Sequence, residues 1–185
     1  IEYEVICRNL DQGARGIIVP RITSSEEILQ VIEIMKYPPK GKRGLYPGGT
    51  AVGYCSTSPA AFIQDQNDNI LLIVQIENQQ AVQNLDSILS IPELDVILIG
   101  PADLSLSIGH PCEFFHDDVL SLMSKIIQRC REYKIPSGVA YADPGLAKRW
   151  ISEGVQFFWV NSDINMLLTG AKAVVAEMHH TGARS

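Results

Sequence analysis

The sequence predicts an α/β fold with a parallel sheet, a TIM-type (β/α)8 barrel of which this chain holds the last five strand–helix units. Three observations lead there. Five short apolar runs alternate with amphipathic segments. The runs are continuously apolar rather than alternating, as parallel strands covered on both faces are. The chain also opens on a helix, not a strand, and its 185 residues fall short of the ~250 that a closed eight-fold barrel usually takes. A five-stranded doubly wound sheet would be complete at this length and stays open as the alternative.

Each element has its own signal. Residues 1–13 read as a helix with Val5, Ile6 and Leu10 on one face and Gly13 as its stop. Gly16–Pro20 is the first strand. Ser24-Ser25-Glu26-Glu27 has the Ser and Glu spacing of a capping box, and the helix behind it turns Ile28, Leu29, Ile32 and Met35 inward. Tyr37-Pro38-Pro39 ends that helix. Residues 40–60 interrupt the alternation with a long Gly-rich loop, and a short helix is expected over 60–66.

The second strand is Leu71–Ile76 with Glu77 at its end. Asn78 is placed to cap the next helix, which carries Ala81, Val82, Leu85, Ile88 and Leu89 on its apolar face. The third strand, Val96–Ile99, runs into Gly100-Pro101-Ala102-Asp103, read as a tight turn. A polar loop with Gly109, His110, Pro111 and His116 follows. Next come a helix with Leu122, Met123, Ile126, Ile127 and Cys130 inward, and a strand over residues 137–142. Asp143-Pro144 opens a helix that Gly154 closes. Phe157–Val160 is the last strand, and Asp163 caps a final helix to about residue 178. The whole reads as one domain.

Composition excludes several classes. The net charge is −6 and no Lys/Arg run supplies a basic patch, which argues against nucleic-acid binding. No apolar stretch reaches the ~18 residues of a membrane span. Cys7, Cys55, Cys112 and Cys130 show neither zinc-ligand spacing nor a disulfide framework, which suits a reducing, cytoplasmic setting. The opening on Ile1 inside a helix leads us to expect further chain upstream.

The chemistry centres on Glu77 and Asp103, one acid after each of two consecutive strands. Neighbouring parallel strands lie ~4.8 Å apart, so acids at one end of the sheet are able to share an ion. Two carboxylates with positions left for substrate oxygens suit a hard cation such as Mg²⁺ or Mn²⁺. The plainer alternative is that each acid caps the helix after it. Gly100 permits close backbone approach, and free N–H groups after it bind carboxylates. Arg43, between two glycines, is either a solvated charge or a forked contact to a substrate oxygen.

Tyr37-Pro38-Pro39-x-Gly41-x-Arg43-Gly44, Val74-Gln75-Ile76-Glu77, Asn84-Leu85 and Ile99-Gly100-Pro101-Ala102-Asp103-Leu104-Ser105 occur in this order. Together they resemble the HpcH/HpaI aldolase family, metal-dependent class II aldolases related to the citrate lyase β chain. The resemblance implies a (β/α)8 barrel, usually hexameric, in which Glu77 and Asp103 hold a divalent metal (Mg²⁺ or Mn²⁺, with Co²⁺ also accepted). It implies that pyruvate chelates this metal and that the Gly100 turn, with the amides of Ala102 and Asp103, binds the pyruvate carboxylate. Arg43 would stabilise the enolate and Gln75 would orient the site.

Two departures accompany it. The family's basic histidine lies upstream of residue 1, and His110, His116, His179 and His180 match no motif, so they read as loop or surface residues. Leu45–Thr50 also replaces the Ala/Arg/Ser-rich run that usually follows, at the positions that bear on the aldehyde. The implied reaction is reversible cleavage of a 4-hydroxy-2-keto acid to pyruvate and an aldehyde. Two alternatives remain: an acyl-CoA lyase of the citrate or malyl type, and a non-catalytic barrel remnant acting as an interaction module.

Overall fold

The computed structural model describes residues 1–46, 48, 49, 58–140 and 143–182, with side chains to 179. Five strands, β1 (Gly16–Val19), β2 (Leu71–Ile76), β3 (Val96–Ile99), β4 (Ser137–Ala140) and β5 (Phe157–Trp159), form one sheet. Their spatial order is β1-β2-β3-β4-β5 and every neighbouring pair is parallel. A doubly wound sheet reverses direction at a switch point, whereas a barrel adds each strand beside the last. The unbroken order therefore decides for the barrel type, here as five strands of it.

The helices are α1 (Tyr3–Asp11), α2 (Ser25–Met35), α3 (Pro59–Asn69), α4 (Gln79–Gln83), α5 (Leu85–Leu89), α6 (Pro101–Ser107), α7 (Asp117–Glu132), α8 (Pro144–Glu153) and α9 (Asp163–Gly182). Most of the core lies between the sheet and these helices: Leu72, Val74, Ile76, Ile97, Ile99 and Val139 pack against Leu10, Ile28, Met35, Ile88, Ile126 and Trp150. On the opposite face Ile73, Leu98 and Ala140 form a smaller cluster with Val96, Phe157 and Trp159. Strand parity separates the two sets, since alternate side chains leave opposite faces. The second face is the barrel interior, and Gln75 shares it with Ile73.

Local signals fare well where the interaction is local. Glu27 accepts hydrogen bonds from the backbone N–H of Thr23 (2.6 Å) and Ser24 (3.2 Å), completing the capping box of α2. Asn78 Oδ1 accepts from Ala81 N at 2.8 Å, and Asp143 Oδ1 accepts from Gly145 N at 2.7 Å. Gly13 and Gly154 take φ of 100° and 101°, the left-handed conformation that stops a helix at little cost for glycine.

Several expectations are corrected. Cys7, not Val5, faces the core from α1, and Val31, not Leu29, does so from α2. Both errors came from assigning the helix face before knowing what packs on it. The helix after Asn78 is broken at Asn84 into α4 and α5. Residues 60–66 belong to the longer α3. Ser162 Oγ accepts from Asn165 N at 3.3 Å, so the cap of α9 falls one residue before Asp163. Tyr141 and Ala142, and the replaced run at Pro47 and Thr50, lie outside the described residues. Along α9, Ile164, Leu167, Leu168, Val174 and Val175 are exposed.

Candidate metal and keto-acid site

At the C-terminal edge of the sheet an open cavity of about 920 Å³ is lined by residues from the ends of β1 to β5. It includes Gln75, Glu77, Gly100, Ala102 and Asp103, together with Pro20, Arg21, Thr23, Asn78, Phe114 and Trp159. This is the face on which parallel barrels build their active sites.

Register brings the first group together. Gln75 is paired with Leu98 and Ile76 with Ile99, so Glu77 and Gly100 stand side by side one step beyond the ladder. The Gly100 N–H closes that step by donating to Ile76 O at 3.0 Å. Glu77 is 5% exposed. Its Oε1 accepts from the Arg21 backbone N–H at 2.7 Å, and its Oε2 accepts from Gln75 Nε2. Gln75 therefore positions Glu77. Burial pushes the Glu77 carboxyl above its usual range, and the nearby Asp103 charge adds to this; the Arg21 N–H opposes both.

Where a turn is expected after β3, the chain instead enters α6, with Gly100 as cap, Pro101 at the first position and Asp103 in the first turn. The sequence did carry this signal: proline at the first helical position with an acid in the same turn is a helix-start pattern. The N–H groups of Ala102 and Asp103 belong to that first turn, which has no intrahelical acceptors for them. Both residues line the cavity together with Glu77.

The residues present fit a hard divalent cation. Buried Glu77 and exposed Asp103 line the same cavity, and the charged form of Glu77 is destabilised by burial and also by the Asp103 charge. A cation held by both carboxylates would offset both penalties. Gly100 leaves the room: a Cβ there would lie 2.5 Å from Gln75 Nε2 and 2.9 Å from Glu77 Oε2.

Arg43, expected to stabilise the enolate, is not among the residues that line this cavity. Its side chain is buried among α1, α3 and Tyr37, with Nη2 donating to Asp11 Oδ1 at 2.6 Å and the guanidinium 4.7 Å from the centre of the Tyr37 ring. Gln66 Oε1 lies 3.5 Å from Nη1. The physical reason is that an exposed-looking glycine-flanked loop is pinned under the helices by this ion pair, with Arg43 N also bonded to Lys36 O at 3.0 Å.

The histidines are corrected in part. His110 and His116 stack with ring centres 3.6 Å apart, and His110 lies within 3.4 Å of both Glu113 and Asp118. The possible ligand atoms of His110, Glu113 and His116 lie within 4.8 Å of one another. His116 Nδ1 also accepts from Asp118 N at 3.2 Å and so caps α7. This cluster sits in the α6–α7 loop; its three residues are not among those lining the cavity, although Phe114 of the same loop is. His179 lies on α9, and the side chain of His180 is outside the described residues.

Sequence reasoning missed Arg21, Thr23, Asn78, Phe114 and Trp159 as lining residues. The usable signal was position: in a parallel sheet the first polar residues after any strand belong to the same edge as Glu77.

The sequence profile of the family described as HpcH/HpaI aldolase/citrate lyase matches residues 2–169. A hydroxypyruvate/pyruvate aldolase of Roseobacter denitrificans is 33% identical over 95% of this chain and 68% of its own length. Two Klebsiella pneumoniae relatives, a 2-keto-3-deoxy-L-rhamnonate aldolase and a 4-hydroxy-2-oxo-heptane-1,7-dioate aldolase, are each 35% identical, over 88% and 92% of this chain and 60% and 64% of theirs. The chain thus spans about two thirds of the length of these relatives. Among solved structures, an HpcH/HpaI aldolase of Desulfitobacterium hafniense superposes with a TM-score of 0.86 at 28% identity, covering 95% of this chain and 68% of that one. By profile, by relatives and by fold, the chain belongs to the HpcH/HpaI aldolase/citrate lyase family.

Proposed function

We propose that this chain carries the metal and keto-acid half of a carbon–carbon lyase that cleaves a 4-hydroxy-2-keto acid reversibly to pyruvate and an aldehyde. The observation that carries the reading is that buried Glu77 and Asp103 line one cavity at the C-terminal sheet edge, with Gly100 packed against Glu77. Three relatives named as aldolases support it, two of them acting by name on keto acids with quite different tails, a deoxyrhamnonate and a heptanedioate.

In this reading Glu77 and Asp103 hold Mg²⁺ or Mn²⁺, or Co²⁺ in their place. A divalent cation bound there acts as a Lewis acid, making the methyl next to the keto group more acidic and stabilising the negative charge that develops. Gln75 fixes the Glu77 carboxylate through its side-chain hydrogen bond and would so hold it ready for the ion. The N–H groups of Ala102 and Asp103 orient the keto acid by its carboxylate. The described lining includes no histidine, lysine, tyrosine or cysteine, so we assign the proton transfer to a group beyond these residues. The phosphates of an acyl-CoA would need several cations, and Arg21 is the one basic residue among the described lining, which favours a small keto acid over a CoA ester.

We also place the protein in a homo-oligomer, hexameric by resemblance. The exposed apolar residues of α9 support an assembly, and light scattering on the purified protein tests it. Cys7, Cys112 and Cys130 are free thiols, which suits a cytoplasmic setting. Among the described residues no helix is long and apolar enough to cross a membrane.

The test is thermal unfolding with Mg²⁺ and pyruvate together. A rise in Tm that vanishes in Glu77→Gln and in Asp103→Asn supports the reading. An unchanged Tm in the wild-type protein, or an equal rise in both variants, overturns it.

A further inference from the structure

Arg21 stands two residues beyond β1 and lines the cavity, the only basic residue among the described lining. Its backbone is fixed: the N–H donates to Glu77 Oε1 at 2.7 Å, and φ is 61°, in the left-handed region. Its side chain is exposed to the cavity, and among the described residues it forms no hydrogen bond or ion pair. Other arginines here are engaged. Arg15 pairs with Asp65, Arg43 with Asp11, Arg129 with Asp86 and Arg149 with Glu153.

The strand order then sets a distance. Arg21 follows β1, Glu77 follows β2 and the Gly100–Asp103 segment follows β3, each strand beside the next. Strands ~4.8 Å apart put the backbone of Arg21 about 10 Å from that segment, with Glu77 between them. A three-carbon keto acid anchored at Gly100–Asp103 leaves the Arg21 end of the cavity unused. An arginine side chain spans part of such a gap and offers a planar fork that suits carboxylate, sulfonate or phosphate oxygens.

We propose that Arg21 selects substrates bearing a second anionic group at the end remote from the keto-acid carboxylate, that is, on the aldehyde-derived fragment. This rests on the keto-acid reading above and adds to it the charge of the aldehyde. Arg21 is then a specificity-determining residue: a neutral polyol tail leaves its charge unanswered, whereas an acidic tail answers it with a forked, charge-assisted contact.

The test is calorimetric binding to the full protein in the presence of Mg²⁺, using probes that differ only in the remote group. 2-Oxoglutarate and 2-oxopentanoate have equal chain length, one with a terminal carboxylate and one with a methyl. The proposal expects 2-oxoglutarate to bind about tenfold tighter or more, the usual scale for a charge-assisted contact. It expects Arg21→Met to remove the preference while pyruvate binding stays within about twofold, and Arg21→Lys to restore part of it. Replacing the terminal carboxylate with a phosphonate separates acid types: a tighter fit for either head supports the proposal and names the head. Pyruvate binding without any preference for the dianion, or a preference that survives Arg21→Met, overturns this inference alone. Absence of Mg²⁺-dependent pyruvate binding overturns it together with the keto-acid reading.

Discussion

Gly100 and Glu77 sit so close at the end of β2 and β3 that a Cβ on the glycine would lie 2.9 Å from Glu77 Oε2. The missing side chain is what lets the carboxylate and Gln75 occupy the sheet edge together.

Gly100→Ala is expected to push Gln75 and Glu77 apart, since the new methyl would fall 2.5 Å from Gln75 Nε2. Overpacking of this kind costs about 1–3 kcal/mol. Differential scanning calorimetry should show a lower Tm and, more tellingly, loss of the Tm rise with Mg²⁺ and pyruvate. A variant that keeps the full rise would show that the glycine is not needed for the site.

Arg43→Met tests the opposite assignment. The guanidinium is buried but its partner Asp11 is half exposed, so the loss should be smaller than for a fully buried pair, about 1–3 kcal/mol. Asp11→Asn should lower stability in the same direction. Because Arg43 lies outside the cavity, ligand-induced stabilisation measured relative to each variant's own Tm should persist. Its disappearance would return Arg43 to the site.

Glu27 links the fold to pH. Hydrogen bonds from the Thr23 backbone N–H first, and then from the Thr23 hydroxyl and Ser24 N–H, lower its carboxyl below the ordinary value. A carboxyl depressed in the folded state adds stability above its unfolded pKa and loses it as pH falls through the folded pKa. Glu27→Ala should therefore cost about 1 kcal/mol near neutrality. The gap from wild type should shrink below about pH 4, read from urea midpoints across pH. A gap constant across that range would show that the bonds do not depend on charge.

The thiols should separate by burial. Cys130 is enclosed by the α7 core and its pKa is pushed up to about 12 by desolvation, and burial also raises Cys7. Cys112 is exposed. Iodoacetamide at about pH 8 should label Cys112 in the folded protein and reach Cys7 and Cys130 only after denaturant is added. Mass spectrometry of peptides reads the order, and early labelling of Cys130 would contradict its place in the core.

What the sequence by itself determined is whatever rests on neighbouring residues. The apolar runs of β1 to β5, the capping box at Ser24 and Glu27, the Asn78 and Asp143 caps and the glycine stops are short-range physics, and each is found where its signal lies. The placement of Glu77 and Asp103 at one sheet edge was also legible, because consecutive parallel strands must deliver their ends to one edge. Tertiary structure decided the rest. It alone placed Val5 and Leu29 in solvent, buried Arg43 against Asp11, stacked His110 on His116 and left Arg21 facing the cavity. The reason is common to all four: a side chain's direction and partner depend on elements tens of residues away, and no local pattern carries that information. The acids at the centre needed only strand order, whereas the cations around them needed the packed fold.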